Sequence, residues 1–184
     1  MPPQLLVDSR CSFDKTLLFG LTILSVIIQN LPDLGEALQW QRSATVPLHV
    51  FTTLTGHFTH WSWDHLLGNV AAFVDLGFTA IRVIPGRFVF CRFLSAVVIP
   101  IEIVLFQPQF ETYRGLSGID SALFELLIAG LWRQGRPVRY MALIGFIGFF
   151  GKTVFELVSG NSLFVEQSPE TVIPVGSAHV IGFI

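Results

Sequence analysis

The sequence predicts an all-α membrane protein: a six-helix transmembrane bundle in one domain over residues 1–184, its sixth helix cut short. Three observations predict it. The 184 residues are 52% hydrophobic and 13% charged, whereas a soluble domain holds about 25% charged residues. With 18 phenylalanines and a mean hydropathy of +0.64, the chain cannot cover a water-facing surface. The apolar residues also gather into runs near the roughly 20 residues a spanning helix needs. Lastly, the basic residues fall on one side of those runs when the runs alternate in direction.

The first run, Thr16–Leu31, follows Arg10 and Lys15. It is longer than the roughly 7–15 residues of a signal-peptide core and no small-residue cleavage site follows closely, so it reads as a retained helix. The connection Asp33–Trp63 is long and aromatic, with Trp40, Trp61 and Trp63. It reads as short amphipathic pieces lying partly in the outer interface. Helix 2, Leu66–Ile84, and helix 3, Phe88–Phe106, meet at a turn carrying Arg82, Arg87 and Arg92. Helix 4, Leu116–Trp132, and helix 5, Val138–Val158, meet at Arg133, Arg136 and Arg139. Helix 6 begins at Pro174 and the sequence stops at Ile184. Its last carbonyls would lack partners in hydrocarbon, so a fragment or an early-terminated product is expected.

Eight of the eleven Lys and Arg residues lie on the side of the amino terminus, Arg42 and Arg114 on the other, and Lys152 within helix 5. The amino terminus is therefore expected in the cytoplasm. A net charge of −2 gives no reason to expect nucleic acid, and membrane lipid is the surrounding partner. Cys11 and Cys91 imply no disulfide framework and lie in no metal-type spacing.

With this topology Ser117 begins helix 4 at the outer face, His179 lies just inside helix 6 there, and His65 opens helix 2. Asn69 follows His65 at i+4 on the same helical side. Polar groups at membrane depth normally face the bundle interior or a water-filled cavity. Four of them from three helices at one depth allow a nucleophile with an oxyanion hole. His179 would act as base on Ser117. The Ser117 backbone N–H, the Asn69 amide and the His65 ring would donate to the oxyanion. Gly115 and Gly118 remove side chains where a substrate backbone approaches and the loop turns into the helix. Gly182, with Ala178, permits close contact between helices 6 and 4.

These residues fall into three motifs: His65-Leu66-Leu67-Gly68-Asn69 (HxxxN), Gly115-Leu116-Ser117-Gly118 (GxSG) and Ala178-His179-Val180-Ile181-Gly182 (AHxxG). In kind, order and helix they resemble those of the rhomboid intramembrane proteases, and the resemblance covers essentially the whole chain. Gly56-His57-Phe58-Thr59-His60 is similar to the family's lead into helix 2. The compact six-helix form, the Tyr113-Arg114 context of Ser117 and Lys152…Glu156 are most similar to the rhombosortase branch. That resemblance implies a serine endopeptidase of the bacterial inner membrane with a Ser117–His179 dyad, no metal and no organic cofactor. It implies substrates that are transmembrane or C-terminally tethered proteins, cut near the outer face at sorting tails of exported proteins. Position 121, often a larger ring that packs on the catalytic histidine in the family, is Ser121 here.

Two other functions stand beside this one. A non-catalytic rhomboid-like binder of transmembrane clients is one, and retention of Ser117 and His179 argues against it. A membrane metalloenzyme using His57, His60 and His65 is the other, and scattered carboxylates argue against it. His57 and His60 otherwise read as interfacial rings or packing groups, and His49 has no assigned role. Glu102 is expected near the interface and solvated, Asp75 and Glu125 to face neighbouring helices, and Asp120 to make a structural hydrogen bond rather than orient His179. Lys152 and Glu156, at i and i+4, read as an intrahelical ion pair.

Overall fold

The computed structural model describes residues 3–108 and 110–159, with side chains from Cys11 onward, those of Glu156 and Leu157 excepted. Helix 6, with His179 and Gly182, lies outside the described residues, as does any pairing of Lys152 with the Glu156 side chain. Seven α-helices occur among the described residues: α1 Pro3–Gln29, α2 Pro32–Leu38, α3 Val46–Thr55, α4 Trp63–Val83, α5 Phe88–Phe106, α6 Ser117–Trp132 and α7 Arg136–Ser159. A two-stranded ribbon, β1 Trp40–Gln41 with β2 Thr112–Tyr113, and a 3-10 turn at Gly56–Phe58 complete them.

The long helices match the apolar runs, with one extension: α1 begins at Pro3, well before the apolar run. Four helices are long and apolar enough to cross a membrane, within Cys11–Gln29, Trp63–Val83, Phe88–Phe106 and Arg136–Phe155. The protein is an integral membrane protein. Phe13, Phe19, Ile23, Ile27, Phe90, Phe93, Ile144 and Ile147 stay exposed on these helices, the surface that acyl chains cover. By contrast α6 has 16 residues, about 24 Å at the helical rise. It packs against α4, α5 and α7, and its first turns from Gly118 to Leu123 are buried without interruption. A helix with neighbours on several sides sits in the centre of a bundle, and α6 takes that place, while α1 packs outside against α4.

Small residues set the helix spacings. A β-carbon on Gly118 would come within 2.6 Å of Ile99 Cδ1 on α5, and one on Gly130 would collide with the Ile84 side chain. Gly145 of α7 rests on Phe124 and Ile128 of α6.

The connection between α1 and α4 folds into α2, β1, α3 and the 3-10 turn. Proline in the first turn starts both α2 and α3. Trp40 is fully buried and pairs with Tyr113 across the ribbon, as Gln41 does with Thr112. This ribbon fixes the connection against the strand that leads into α6. Val46, Val50, Phe51 and Leu54 of α3 remain exposed, matching the expected amphipathic character.

Arg42 anchors the same end. Its guanidinium donates to the carbonyls of Ile103 (2.9 Å), Gln107 (2.8 Å) and Phe110 (2.9 Å). These lie at and beyond the carboxyl end of α5, where helix carbonyls lack intrahelical donors and the dipole favours a cation.

Candidate active site

Ser62 opens α4: its hydroxyl accepts from the His65 N–H at 3.1 Å, an N-cap. One turn apart on that helix, His65 and Asn69 both face inward and are buried. His65 Nδ1 accepts from the Trp61 N–H at 3.5 Å, which leaves Nε2–H as the ring's free donor. The Asn69 Nδ2 is buried and has no hydrogen-bond partner among the described residues.

Both side chains meet Gly115. That residue has φ +117°, and a β-carbon on it would stand 2.9 Å from His65 Cε1, 3.0 Å from His65 Nε2 and 3.2 Å from Asn69 Nδ2. A positive φ of this kind is a glycine conformation. Gly115 is therefore required twice, by its backbone and by its neighbours. Two residues later Ser117 opens α6 half-buried, and its carbonyl accepts from the Ser121 hydroxyl at 2.8 Å. The structure thus brings together His65, Asn69, Gly115 and Ser117. It places Gly118 against α5, a helix-packing position rather than a substrate-facing one.

Behind Gly115 stands a second polar layer, built from His57 and Tyr113. His57 is 0% exposed. Its Nε2 lies 3.0 Å from the Ala96 carbonyl and its Nδ1 3.4 Å from the Tyr113 hydroxyl. Tyr113 also donates to the Gly115 carbonyl at 3.0 Å, and the Gly115 N–H donates to the Gly56 carbonyl at 3.2 Å. Burial lowers the His57 pKa to about 4, with the nearby Arg92 charge adding to the shift, and raises that of the Tyr113 phenol. His57 is neutral at physiological pH.

His60 is equally enclosed. Its ring lies edge-on to His65 with centroids 5.1 Å apart, and both of its ring nitrogens are buried. Burial, followed by the adjacent His65, lowers its pKa to about 3. Arg114 closes the site from the side. It donates to Gln39 Oε1 at 2.8 Å, reaches the His60 carbonyl at 3.4 Å and stacks over Trp61.

The carboxylates take other places. Asp120 is buried in α6 with neither oxygen partnered, and both Glu125 oxygens are buried and unpartnered too. The structural hydrogen bond expected of Asp120 is not formed among the described residues. Glu102 is buried rather than solvated, taking a bond from Gln107 Nε2 at 3.3 Å. Asp75 is exposed rather than turned to a neighbouring helix. Among the described residues no three His, Cys, Asp or Glu side chains form a metal-like group; both His57 nitrogens face other partners.

The arrangement is a serine-bearing helix start with an amide and an imidazole beside the turn before it. A family model supplies the remaining piece: the Rhomboid domain matches residues 47–184. The chain belongs to the rhomboid family. The match begins in α3 and includes every element that builds the site. No curated protein matches the chain. Rhomboid proteins are generally intramembrane serine proteases, and the motif residues on α4 and α6 stand where this chain's geometry converges.

Proposed function

We propose that this rhomboid protein is an intramembrane serine endopeptidase. Ser117 attacks a peptide carbonyl, with His179 as the general base that takes its proton and later returns it to the leaving amine. The Asn69 amide, the His65 Nε2–H and the Ser117 N–H donate to the tetrahedral oxyanion. Donors held in a water-poor site stabilise such a charge far more than they would in water.

One observation carries this reading. Asn69 Nδ2, a buried donor without a partner among the described residues, and His65 Nε2 both come within 3.2 Å of the space a β-carbon on Gly115 would occupy. An unsatisfied buried amide costs free energy, and a ligand oxygen arriving beside Ser117 gives it a partner.

The distribution of Lys and Arg among the connections supports a cytoplasmic amino terminus, and the resemblance to the rhombosortase branch implies a bacterial inner membrane. Ser117 then stands near the outer face, where water reaches the acyl-enzyme. The substrates are proteins tethered by a C-terminal helix, cut at small residues ahead of it, as the resemblance to the rhombosortase branch implies.

The test is cleavage of a tethered substrate of that design by the full chain in liposomes. Wild type releases the outer fragment, and Ser117→Ala and His179→Ala do not. Capture of uncleaved substrate by wild type and both variants alike makes the protein a non-catalytic binder.

A further inference from the structure

Pro100 lies inside α5. Proline has no N–H, so it leaves the carbonyl four residues earlier without its helical donor. That carbonyl belongs to Ala96, the group that His57 Nε2 meets at 3.0 Å. A carbonyl only accepts, so Nε2 carries the proton and Nδ1 is left as an acceptor. Facing Nδ1 at 3.4 Å is the Tyr113 hydroxyl, whose shorter bond of 3.0 Å runs to the Gly115 carbonyl.

A continuous chain of contacts results: Pro100 frees the Ala96 carbonyl, that carbonyl sets the His57 tautomer, His57 faces Tyr113, and Tyr113 holds Gly115. The other side of Gly115 is tied by its N–H to the carbonyl of Gly56, the residue before His57. Tyr113 thus holds the Gly115 carbonyl and Gly56 its N–H, so both backbone groups of Gly115 are fixed. Gly115 is where the chain takes its positive φ two residues before Ser117.

We propose that His57 and Tyr113 are positioning residues for Ser117, and that Pro100 assigns His57 to this task by vacating the Ala96 carbonyl. The proposal rests on the reading of Ser117 as nucleophile. Neither side chain touches substrate; each acts by holding the Gly115–Ser117 turn. Within a rigid site a displacement near 1 Å is enough to slow chemistry about a hundredfold.

Pro100→Ala supplies the discriminating test, because it restores the N–H at position 100, which competes for the Ala96 carbonyl, while improving the helix. Tyr113→Phe removes the hydroxyl and keeps the ring. The full chain in detergent micelles is labelled at Ser117 with a fluorophosphonate, kcat and KM are measured on a tethered substrate, and melting is followed in parallel.

The expected result is labelling and kcat lowered about tenfold or more in both variants, with KM unchanged and the Pro100→Ala melting temperature equal to or above wild type. Wild-type labelling in either variant overturns the proposal. So does a loss of activity that a fall in Pro100→Ala melting temperature fully accompanies, since that assigns a structural role alone. If the wild type itself takes no label, the protease reading fails instead. The Pro100–His57 contact is then judged by ring ¹⁵N chemical shifts. A protonated His57 Nε2 whose preference weakens in Pro100→Ala supports that contact, and an unchanged tautomer rejects it.

Discussion

The two ends of the helix bundle are held together differently. At the end where α4 and α6 begin, the polar contacts join residues far apart in sequence. Arg42 reaches carbonyls 61 to 68 positions away, Arg114 reaches Gln39 across 75, and His57 reaches Ala96 across 39. At the opposite end most polar contacts are local, Lys15 of α1 over the Phe78 ring being an exception. Arg139 donates to the Trp132 carbonyl seven residues back, Arg82 stacks on Phe78 of its own helix, and Gly86 with φ +80° turns α4 into α5. Local contacts suffice to reverse a chain between two helices. Long-range contacts fix several segments against one another, which a site assembled from separate helices requires.

The sharpest way to break this contrast is at Gly115. Gly115→Ala forces a side chain onto a positive φ and into the His65 ring 2.9 Å away. Cleavage is expected to fall more than about a hundredfold, whereas Gly135→Ala at the opposite end, with nothing within 4 Å of the added carbon, keeps wild-type rates. Steady-state cleavage in liposomes checks both. Asn69→Ala follows, lowering kcat by about a hundredfold with KM little changed, the usual scale for loss of one oxyanion donor.

The pH dependence tests burial at the Ser117 end. Folded His57 titrates at about 4, against about 6.5 when unfolded. Between those values the unfolded chain binds more protons, so stability is complete above about pH 6.5 and is lost as pH falls toward 4, by up to about 3 kcal/mol. Denaturation in detergent from pH 7 to pH 4 measures it, and His57→Gln is expected to make the slope shallower. The paired arginines give the smallest effects. Arg42→Ala is expected to cost about 2 kcal/mol, since three carbonyls lose a charged donor, and Arg139→Ala less than about 1 kcal/mol. Equal shifts in melting temperature would erase the difference between the ends.

The same contrast separates what the sequence made legible from what it did not. Helices α4 to α7 were readable to within two or three residues because twenty-odd apolar residues between charged turns have few other fates in lipid. His65, Asn69, Gly115 and Ser117 were readable as a group because their motifs place them at one end of two helices. Only the start of α1 was misplaced: its first turns are polar, and hydropathy does not mark a helix that begins before the apolar run. The second polar layer was hidden for a different reason. His57 and Tyr113 lie in short irregular segments, and their partners are backbone carbonyls that no motif records. One signal was present: Pro100 within an apolar run implies an unsatisfied carbonyl at Ala96, and a donor has to come from outside that helix. The burial of Glu102 and the exposure of Asp75 follow from helix rotation, which apolar length alone does not specify.

The central claim is that Ser117 is an activated nucleophile at the tightly held end of the bundle. Peptide mapping after reaction of the full folded chain with a fluorophosphonate tests it most directly. The account predicts an adduct on Ser117 that disappears in His179→Ala. An unmodified Ser117 in the folded protein, or an adduct formed equally well without the histidine, would contradict it.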